Sequence, residues 1–445
     1  MAVVHHVSFS AYKQLLSQLD PLEYGGRVSQ VVGLTVESNG PATNVGDICH
    51  IFTHKRDKYI QAEVVGFRDK QVLLMPFSEL SGVGPGNRVI STNKSFMVPV
   101  GRGFQGRILD GLGTPIDNKG AVRPDAYYPI DNDPPNPLSR TRIKEALPMG
   151  VKAIDSMLAI GRGQRIGIFA GSGVGKSTLL GMIARNALAD INVITLVGER
   201  GREVNDFIEK DLKEEGLRRS ILIIATSDQP ALIRLKSAMV GTAMAEYFRD
   251  QGFNVLLLMD SLTRFAMAQR EIGMAVGEPP VSRGYTPSVY AKLPRLLERT
   301  GTSDRGSITG LYTVLVEGDD MNEPVADTVR GILDGHMVLS RSLANSNHYP
   351  AIDVLASVSR VMPDIVEQRQ LKYAGFIRNM MATYREAQDL INIGAYQKGS
   401  NPNIDQAIEL IDQINKLLCQ DINETTPYEQ ILPAMEAIAG SRVQL

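Results

Sequence analysis

The segment Ala170–Ser177, with the sequence AGSGVGKS, constrains the fold of this chain more than any other feature. It follows the apolar run Arg165–Ala170 and precedes a helical pattern that opens at Thr178. Its glycines allow the backbone to form a concave nest of N–H groups, and the N-terminus of the following helix adds a positive dipole end. This strand–loop–helix arrangement is typical of a phosphate-binding loop, although alanine stands where the usual motif begins with glycine.

The loop also predicts which groups would hold a nucleotide. The Lys176 ammonium is expected to reach the β- and γ-phosphates, and the Ser177 hydroxyl is expected to bind Mg²⁺. The residues expected to bind the phosphates are Gly171, Ser172, Gly173, Val174, Gly175, Lys176, Ser177 and Thr178. Such a loop indicates binding of a nucleoside triphosphate, but it does not say what work the hydrolysis performs.

Apolar runs alternate with helical patterns around this loop. Continuous apolar strands between helices predict a largely parallel sheet covered on both faces, which assigns the chain to the α/β class. The predicted strands are Arg165–Ala170, Val193–Val197, Ile221–Ala225, Val255–Met259 and Thr309–Val316, and the predicted helices are Thr178–Ala189, Val204–Leu217 and Pro230–Arg249.

The chain of 445 residues is too long for one ordinary core and suggests about three domains. Short β-like runs before residue 100 predict a small β-barrel or sandwich, and helix formers dominate after Pro363. The β-like runs are Arg27–Val36, Asp47–Thr53, Ile60–Phe67, Gln71–Met75 and Arg88–Ser91. We expect a docking helix at residues 1–22, a β-barrel at 23–100, the nucleotide-binding domain at 101–362 with an entry linker at 101–145, and a helical domain at 363–445.

The expected N-terminal helix carries Phe9, Tyr12, Leu16 and Leu19 on one face. Such a face either lies against its own domain or docks a partner protein. The pattern alone leaves both possibilities open.

The net charge and the cysteine content indicate which partners and which cellular compartment to expect. The net charge is −2, from 47 basic and 49 acidic side chains, so no global attraction to nucleic acid or anionic lipid is expected. Cys49 and Cys419 have no metal-ligand spacing, which indicates reduced thiols in a cytosolic protein. The chain shows no signal-peptide pattern, and its apolar stretches are too short to span a bilayer, so a cytoplasmic location is expected.

Two carboxylates follow predicted strands at the edge where ligands bind in α/β sheets. Asp260 ends the run Val255–Met259 and is expected to hold Mg²⁺ through its water shell, although it could instead cap the next helix. Glu199 follows another strand and could polarise the attacking water or form a surface ion pair with a nearby arginine. Arg360 could stabilise charge on the γ-phosphoryl group, but its position alone does not select it from the other arginines.

Longer motifs resemble the rotary-type hexameric ATPases, the relatives of the catalytic subunits of ATP synthase. The segments that carry the likeness are Gly106–Gly111, Gly161–Arg165, Gly198–Arg200 and Pro350–Ser359. Pro134–Leu138, Glu317–Pro324 and Gly394–Gly399 favour the ATPases of type III protein export over energy-coupling subunits. The sequence of Phe169–Lys176, FAGSGVGK, favours the flagellar members over those of injectisomes.

This resemblance implies a RecA-like P-loop NTPase core with an N-terminal small β-barrel and a C-terminal helical domain. It also implies a homo-hexameric ring that uses ATP and Mg²⁺, with catalytic sites at the subunit interfaces. In that ring Glu199 would polarise the attacking water and Arg200 would lie near the γ-phosphate. Arg360 would be an arginine finger inserted into the neighbouring subunit's site, and the Tyr349 ring would stack on adenine.

The implied function is Mg-dependent ATP hydrolysis that drives or primes export of flagellar proteins across the cytoplasmic membrane. The implied partners are a regulatory or stator-like protein at the N-terminal helix, a central stalk protein, an export gate, chaperones and export substrates, with no nucleic acid. These partners would hold the ring peripherally at the inner face of the cytoplasmic membrane. The Gly- and Pro-containing segment Ile272–Tyr285 resembles a pore-facing loop and is expected to touch substrate or stalk.

Other functions remain open at this point. An injectisome secretion ATPase is the nearest alternative, and a rotary proton- or sodium-coupled ATPase subunit is another. A nucleic-acid translocase of the same core is disfavoured by the net charge of −2 and the absence of tryptophan. A non-catalytic regulatory subunit is disfavoured by the presence of Glu199.

Overall fold

The computed structural model describes residues 25–53, 58–316, 318 and 320–443, together with residues 9 and 13. The chain divides into two compact units, the first ending at Phe96 and the second beginning at Met97. The helix expected at residues 1–22 lies outside the described residues, apart from Phe9 and Lys13.

The first unit contains a closed barrel of six antiparallel strands in the order β1-β2-β5-β4-β3-β6. The strands are β1 (Gly25–Val32), β2 (Thr35–Asn39), β3 (Asp47–Phe52), β4 (Tyr59–Arg68), β5 (Gln71–Pro76) and β6 (Arg88–Ser95). The predicted β-barrel is therefore confirmed. The single run expected at Arg27–Val36 is wrong, because the left-handed φ of +56° at Gly33 turns the chain into a hairpin.

The second unit is built on a mainly parallel sheet in the order β17-β16-β10-β15-β13-β11-β12-β8, with β14 beside β15. Its strands are β8 (Ile108–Asp110), β10 (Arg165–Ala170), β11 (Ile191–Glu199), β12 (Ser220–Thr226), β13 (Asn254–Asp260), β14 (Gly301–Thr302), β15 (Ser307–Leu315), β16 (Gly335–Leu339) and β17 (Val358–Ser359). Strands β7 (Met97–Val100) and β9 (Ala126–Pro129) form a separate antiparallel pair. The parallel α/β core is confirmed, and the loop-rich segment 101–145 contributes the edge strand β8.

Helices cover this sheet and form the C-terminal region. They are α1 (Lys152–Met157), α2 (Lys176–Asn186), α3 (Gly201–Asp206), α4 (Lys213–Arg218), α5 (Ala231–Asp250), α6 (Leu262–Val276), α7 (Pro287–Glu298), α8 (Pro324–Ile332), α9 (Arg341–Asn345), α10 (Met362–Ile365), α11 (Gln368–Asn392), α12 (Pro402–Leu418) and α13 (Ile431–Ala439). The single helix expected at Val204–Leu217 is instead α3, a π-helical segment at Phe207–Leu212 and α4. The positive φ of Lys213, +57°, marks the break before α4.

The C-terminal helices share one apolar core with the nucleotide-binding domain. Ile154 of α1 is fully buried in the same cluster as Ile377 of α11, Ile414 of α12 and Met435 of α13. Within the described ranges, no helix combines the length and the apolar composition needed to cross a membrane.

A fully buried ion pair joins α5 to Arg299, the residue that follows α7. Both nitrogens of the Arg299 guanidinium fork bind the Glu246 carboxylate at 2.8 and 2.7 Å, and these side chains are 2% and 1% exposed. Arg299 also donates to the Ile130 carbonyl at 2.6 Å, and Asn132 donates to Glu246 at 2.9 Å. The pair therefore fixes the segment after β9 against α5.

We predict that Glu246→Ala destabilises the protein strongly, because it leaves the buried Arg299 guanidinium without its counter-charge. The expected loss in the free energy of unfolding is about 3–5 kcal/mol. The control is Glu214→Ala, which removes the exposed partner of Arg218 and is expected to change stability only slightly. Urea unfolding of both variants checks this, and equal midpoints would contradict it.

Candidate functional site

The phosphate-binding loop joins the end of β10 at Ala170 to the start of α2 at Lys176. Gly173 and Gly175 adopt φ of +78° and +87°, a left-handed conformation that a side chain disfavours. A Cβ on Gly175 would lie 3.4 Å from the Tyr349 ring, an ordinary contact distance, so the backbone conformation rather than the lack of space favours glycine there. The Val174 side chain is buried beneath the loop, which leaves only its backbone available to a ligand.

A cluster of one ammonium and two carboxylates lies beside this loop. The Lys176 Nζ atom is 2.6 Å from Asp260 Oδ1 and 3.5 Å from Glu199 Oε1. All three side chains are largely buried, with exposures of 13%, 6% and 11% for Lys176, Asp260 and Glu199. The three residues predicted from separate strand and helix ends are therefore brought together in space.

Burial and charge act in opposite directions on the pKa values of this cluster. Burial disfavours the Lys176 ammonium, but attraction from Asp260 and Glu199 outweighs burial and raises the pKa of Lys176. Burial and then repulsion from Asp260 raise the pKa of Glu199 to about 7, against the opposing effect of Lys176. Glu199 is therefore poised to exchange a proton near neutral pH.

The sheet fixes the direction of both carboxylates. Register between β11 and β13 pairs Leu196 with Asp260, so the two strands end at the same edge. Thr313 of β15 donates to Asp260 Oδ1 at 2.7 Å and holds that carboxylate in place. Gly198 has a left-handed φ of +70° where the β11–β12 register shifts, and this irregularity precedes Glu199.

Two cavities flank the loop. The larger one has a volume of about 620 Å³, and its wall combines the loop and α2 with the Tyr349 region and residues after α12. Its lining residues are Gly173, Gly175, Thr178, Leu179, Met182, Asn347, Tyr349, Pro350, Cys419, Gln420, Asp421, Ile422 and Glu424. The smaller cleft is lined by Ser177, Glu199, Glu203 and Asp260, among others. A phosphate chain held by the loop would thus have a base-sized cavity at one end and the carboxylates at the other.

Several wall residues have no signal in the sequence pattern. Gln420 follows α12 and is 6% exposed, and its backbone N–H donates to the Tyr349 carbonyl at 2.9 Å. Its side chain accepts from the Lys152 N–H at 2.7 Å and donates to the Gly150 carbonyl at 3.0 Å. Glu203, in the first turn of α3, shares a hydrogen bond with the Glu199 carboxylate and adds to the upward shift of its pKa.

The oxygen donors at this site fit a magnesium ion. The Ser177 hydroxyl and the Asp260 carboxylate line the same cleft, and hard oxygen ligands are those that Mg²⁺ prefers. Among the described residues, no group of three or more His, Cys, Asp or Glu side chains could hold a metal by itself. A site that relies on two protein oxygens, waters and substrate phosphates is the arrangement Mg²⁺ usually adopts with nucleotides.

Two predicted arginines lie away from this cluster. The Arg200 side chain is 75% exposed and pairs with Glu203 at 3.2 Å, and it contacts none of Lys176, Glu199 and Asp260. Arg360 follows β17, and its backbone N–H donates to the Asp334 carbonyl at the start of β16. Because β16 is parallel to β10, Arg360 lies at the amino edge of the sheet, about 17 Å along β10 from the phosphate loop. Its exposed side chain cannot reach the loop of its own chain.

Three family models match successive parts of the chain. The ATP synthase alpha/beta family, nucleotide-binding domain, matches residues 150–359. The beta-barrel domain of the same family matches residues 28–93, and the T3SS EscN ATPase C-terminal domain matches residues 366–437.

Proteins and structures similar to the chain cover nearly all of it. The flagellum-specific ATP synthase of Bacillus subtilis (strain 168) is 54% identical over 96% of this chain and 98% of its own length. The type 3 secretion system ATPase of Xanthomonas euvesicatoria is 50% identical over 93% of both chains.

The assembled ATPase EscN of the enteropathogenic E. coli type III secretion system gives a TM-score of 0.88 at 44% identity. The same ATPase in complex with its central stalk EscO gives 0.86 at 43% identity. Each of these two structures covers 93% of this chain and is itself 99% covered. Barrel, nucleotide-binding domain and C-terminal helices therefore agree in order and fold with known structures.

We predict that nucleotide protects Cys419 from a maleimide. Cys419 is half-buried on the wall of the larger cavity, whereas Cys49 is 0% exposed and serves as the internal control. Burial raises the pKa of the Cys419 thiol, so alkylation should be slow near pH 7 and faster as the pH rises. Mass spectrometry of labelled peptides with and without saturating Mg·ATP measures both sites. A Cys419 rate unaffected by nucleotide would show that the cavity does not receive it.

Proposed function

The chain belongs to the ATP synthase alpha/beta family, in the group that contains flagellum-specific ATP synthases and type 3 secretion system ATPases, and from this premise we propose that it hydrolyses ATP to drive or prime type III export of flagellar proteins. The observation that carries the proposal is the cluster of Lys176, Glu199 and Asp260 beside the phosphate loop. It supplies a phosphate-binding cation, a carboxylate of near-neutral pKa and a metal-binding carboxylate within one cleft.

We assign the chemistry to the chain's own side chains as follows. Lys176, whose ammonium pairs with Asp260, exchanges that contact for the β- and γ-phosphate oxygens of bound ATP. Glu199 holds and polarises the attacking water, and its raised pKa suits it to accept a proton near neutral pH. Loop backbone N–H groups and the N-terminus of α2 stabilise negative charge on the transferred group.

Different residues would bind the metal ion and the adenine ring. Ser177 and Asp260 would hold Mg²⁺, which when bound neutralises charge shared by the β- and γ-phosphates. Tyr349 is 40% exposed and lies against Gly175 on the wall of the larger cavity, where its ring can stack on adenine. Arg200 would have to leave its exposed pairing with Glu203 before it could approach a γ-phosphate.

A second copy of the chain completes the site. Arg360 is exposed, and no described residue forms a hydrogen bond or an ion pair with its guanidinium. Since it lies at the opposite edge of the sheet from its own phosphate loop, it can serve as a finger only in a neighbouring subunit's site. Identical subunits arranged head to tail close into a ring, and we propose a homo-hexamer. The EscN structures are described as assembled, which supports this arrangement.

The similarity pattern favours export over ion-coupled rotation. The C-terminal domain matches the T3SS EscN ATPase model, and both similar proteins named above are flagellar or type 3 secretion ATPases. By analogy with EscN and EscO, we propose a central stalk protein as a partner. An export gate, chaperones, export substrates and a regulatory protein at the N-terminus complete the proposed set, at the inner face of the cytoplasmic membrane. An injectisome ATPase is the sibling alternative.

We predict that Arg360→Ala binds ATP normally but hydrolyses it about 10³–10⁵-fold more slowly, because transition-state charge loses its arginine. Equilibrium ATP binding and steady-state turnover of the purified assembly measure the two properties. The matched control is Arg305→Ala, an exposed arginine outside the site, which should retain turnover. Normal turnover of Arg360→Ala would refute the finger assignment.

The same variants test the cellular role. In a strain that lacks the gene, the wild-type chain should restore swimming and filament export, and Arg360→Ala should restore neither. Restored secretion of injectisome effectors without restored swimming would favour the sibling function.

We predict that kcat/KM falls as the pH falls through about 7, since protonation of Glu199 removes the group that accepts the water's proton. The Glu203→Gln variant removes a neighbouring carboxyl that raises this pKa, so its profile should move to lower pH. Titration of ATP itself is unaffected by that substitution. An identical profile for both proteins would contradict the assignment to Glu199.

A further inference from the structure

Gln164 lies at the amino end of the strand that leads into the phosphate loop, and it is completely buried. Its side-chain oxygen accepts from the Gly161 N–H at 2.8 Å. Its side-chain amide donates to the Ser359 hydroxyl at 3.1 Å and to the Asp334 carbonyl at 3.3 Å. Burying a polar amide costs free energy unless its hydrogen bonds are made. The three hydrogen bonds of the Gln164 side chain offset that cost, and they hold three separate segments in a defined arrangement.

Two of the three residues that the Gln164 side chain contacts, Ser359 and Asp334, directly support the backbone of Arg360. Ser359 precedes Arg360 in the chain, is 7% exposed and donates to the Ala159 carbonyl at 2.8 Å. The Asp334 carbonyl accepts from the Arg360 N–H at 3.1 Å as well as from Gln164. The residue before Arg360 and the carbonyl that accepts the Arg360 N–H are thus both hydrogen-bonded to Gln164.

The same region is tied to the first residue of β10. Arg165 donates to the Asp334 carboxylate from its backbone at 3.0 Å and from its side chain at 3.1 and 3.2 Å. Gly335 allows β17 to approach closely, because a Cβ there would lie 2.5 Å from the Val358 carbonyl oxygen. Strand β10 therefore begins against the base of Arg360 and ends at the phosphate loop of the same chain.

We propose that Gln164 and Ser359 are positioning residues for the arginine finger. They tie the end of β17 to the residue that precedes β10, so that the finger's backbone lies beside one end of β10 and the phosphate loop of the same chain follows the other end. Among the described residues, none forms a hydrogen bond or an ion pair with the exposed Arg360 guanidinium, so the placement of this side chain depends mainly on how its backbone is held. The inference rests on the proposed trans-acting role of Arg360 and extends it to the residues that place it.

The first test compares Gln164→Ala and Ser359→Ala with the wild type. Both variants should lower kcat at least tenfold, and less than Arg360→Ala does, while ATP affinity changes little because their own phosphate loops are intact. The matched control is Gln370→Ala, which removes another buried glutamine, 5% exposed, whose amide donates to the Asp155 and Ser156 carbonyls. It loses comparable hydrogen bonds that involve neither β17 nor Asp334, and it should keep its kcat.

The second test mixes inactive subunits. A Lys176→Ala subunit has a disabled phosphate loop but an intact finger, so it can complete the site of a neighbouring Gln164→Ala subunit. Co-assembly of the two should give turnover above the sum of the separate variants. The reference is the mixture of Arg360→Ala with Lys176→Ala, and both mixtures should recover to a similar extent.

Each outcome decides a different claim. Recovery in both mixtures supports the positioning role. Recovery with Arg360→Ala but not with Gln164→Ala or Ser359→Ala overturns it, since the defect then lies inside the variant's own site or fold. No recovery with Arg360→Ala would refute the trans-acting finger itself, and the inference with it. Wild-type kcat in Gln164→Ala and Ser359→Ala would also overturn the inference.

Discussion

The polarity of strand β10 is the constraint on which the rest of the structure depends. In a parallel sheet all carboxyl ends lie at one edge, and here that edge gathers the phosphate loop, Glu199 and Asp260. The amino edge gathers Asp334 and Arg360 instead. One chain thus carries a nearly complete nucleotide site and, about 17 Å away along the strand, the arginine that such a site lacks. The proposed dependence of hydrolysis on a neighbour's arginine follows from this polarity.

Within the site, one cation is balanced against two carboxylates. Lys176 offsets the charges of Asp260 and Glu199 only in part, and burial together with the remaining repulsion from Asp260 keeps the pKa of Glu199 near neutral. A triphosphate and a metal ion would redistribute these charges, since each brings a stronger partner for one side of the cluster. The wall of the larger cavity is completed by the segment after α12, so the C-terminal region helps to enclose the cavity that we propose receives the base.

Much of this arrangement follows from the sequence, because strong local patterns determine it. The long apolar runs predicted the main strands of the sheet correctly. The polar residues that end two of these runs identified Glu199 and Asp260 as residues at the carboxyl edge. Strand β17 has two residues and β8 has three, too few for any periodic pattern, and they form only because longer strands offer an edge. Gln420 contacts Tyr349, and Gln164 contacts Ser359, across 71 and 195 residues of the chain respectively. No local sequence pattern predicts contacts between positions so far apart. The break of the helix at Lys213 and the hairpin turn at Gly33 each depend on one backbone conformation.

The most direct measurement of the central claim is a cryo-EM structure of the assembled protein with Mg·ADP and aluminium fluoride, which mimics the transferred phosphoryl group. We expect the mimic to contact Lys176 of the subunit that holds it. We also expect a hydrogen bond, at about 3 Å, from the Arg360 guanidinium of the adjacent subunit. An assembly in which that guanidinium points away from the nucleotide in every protomer would contradict the account.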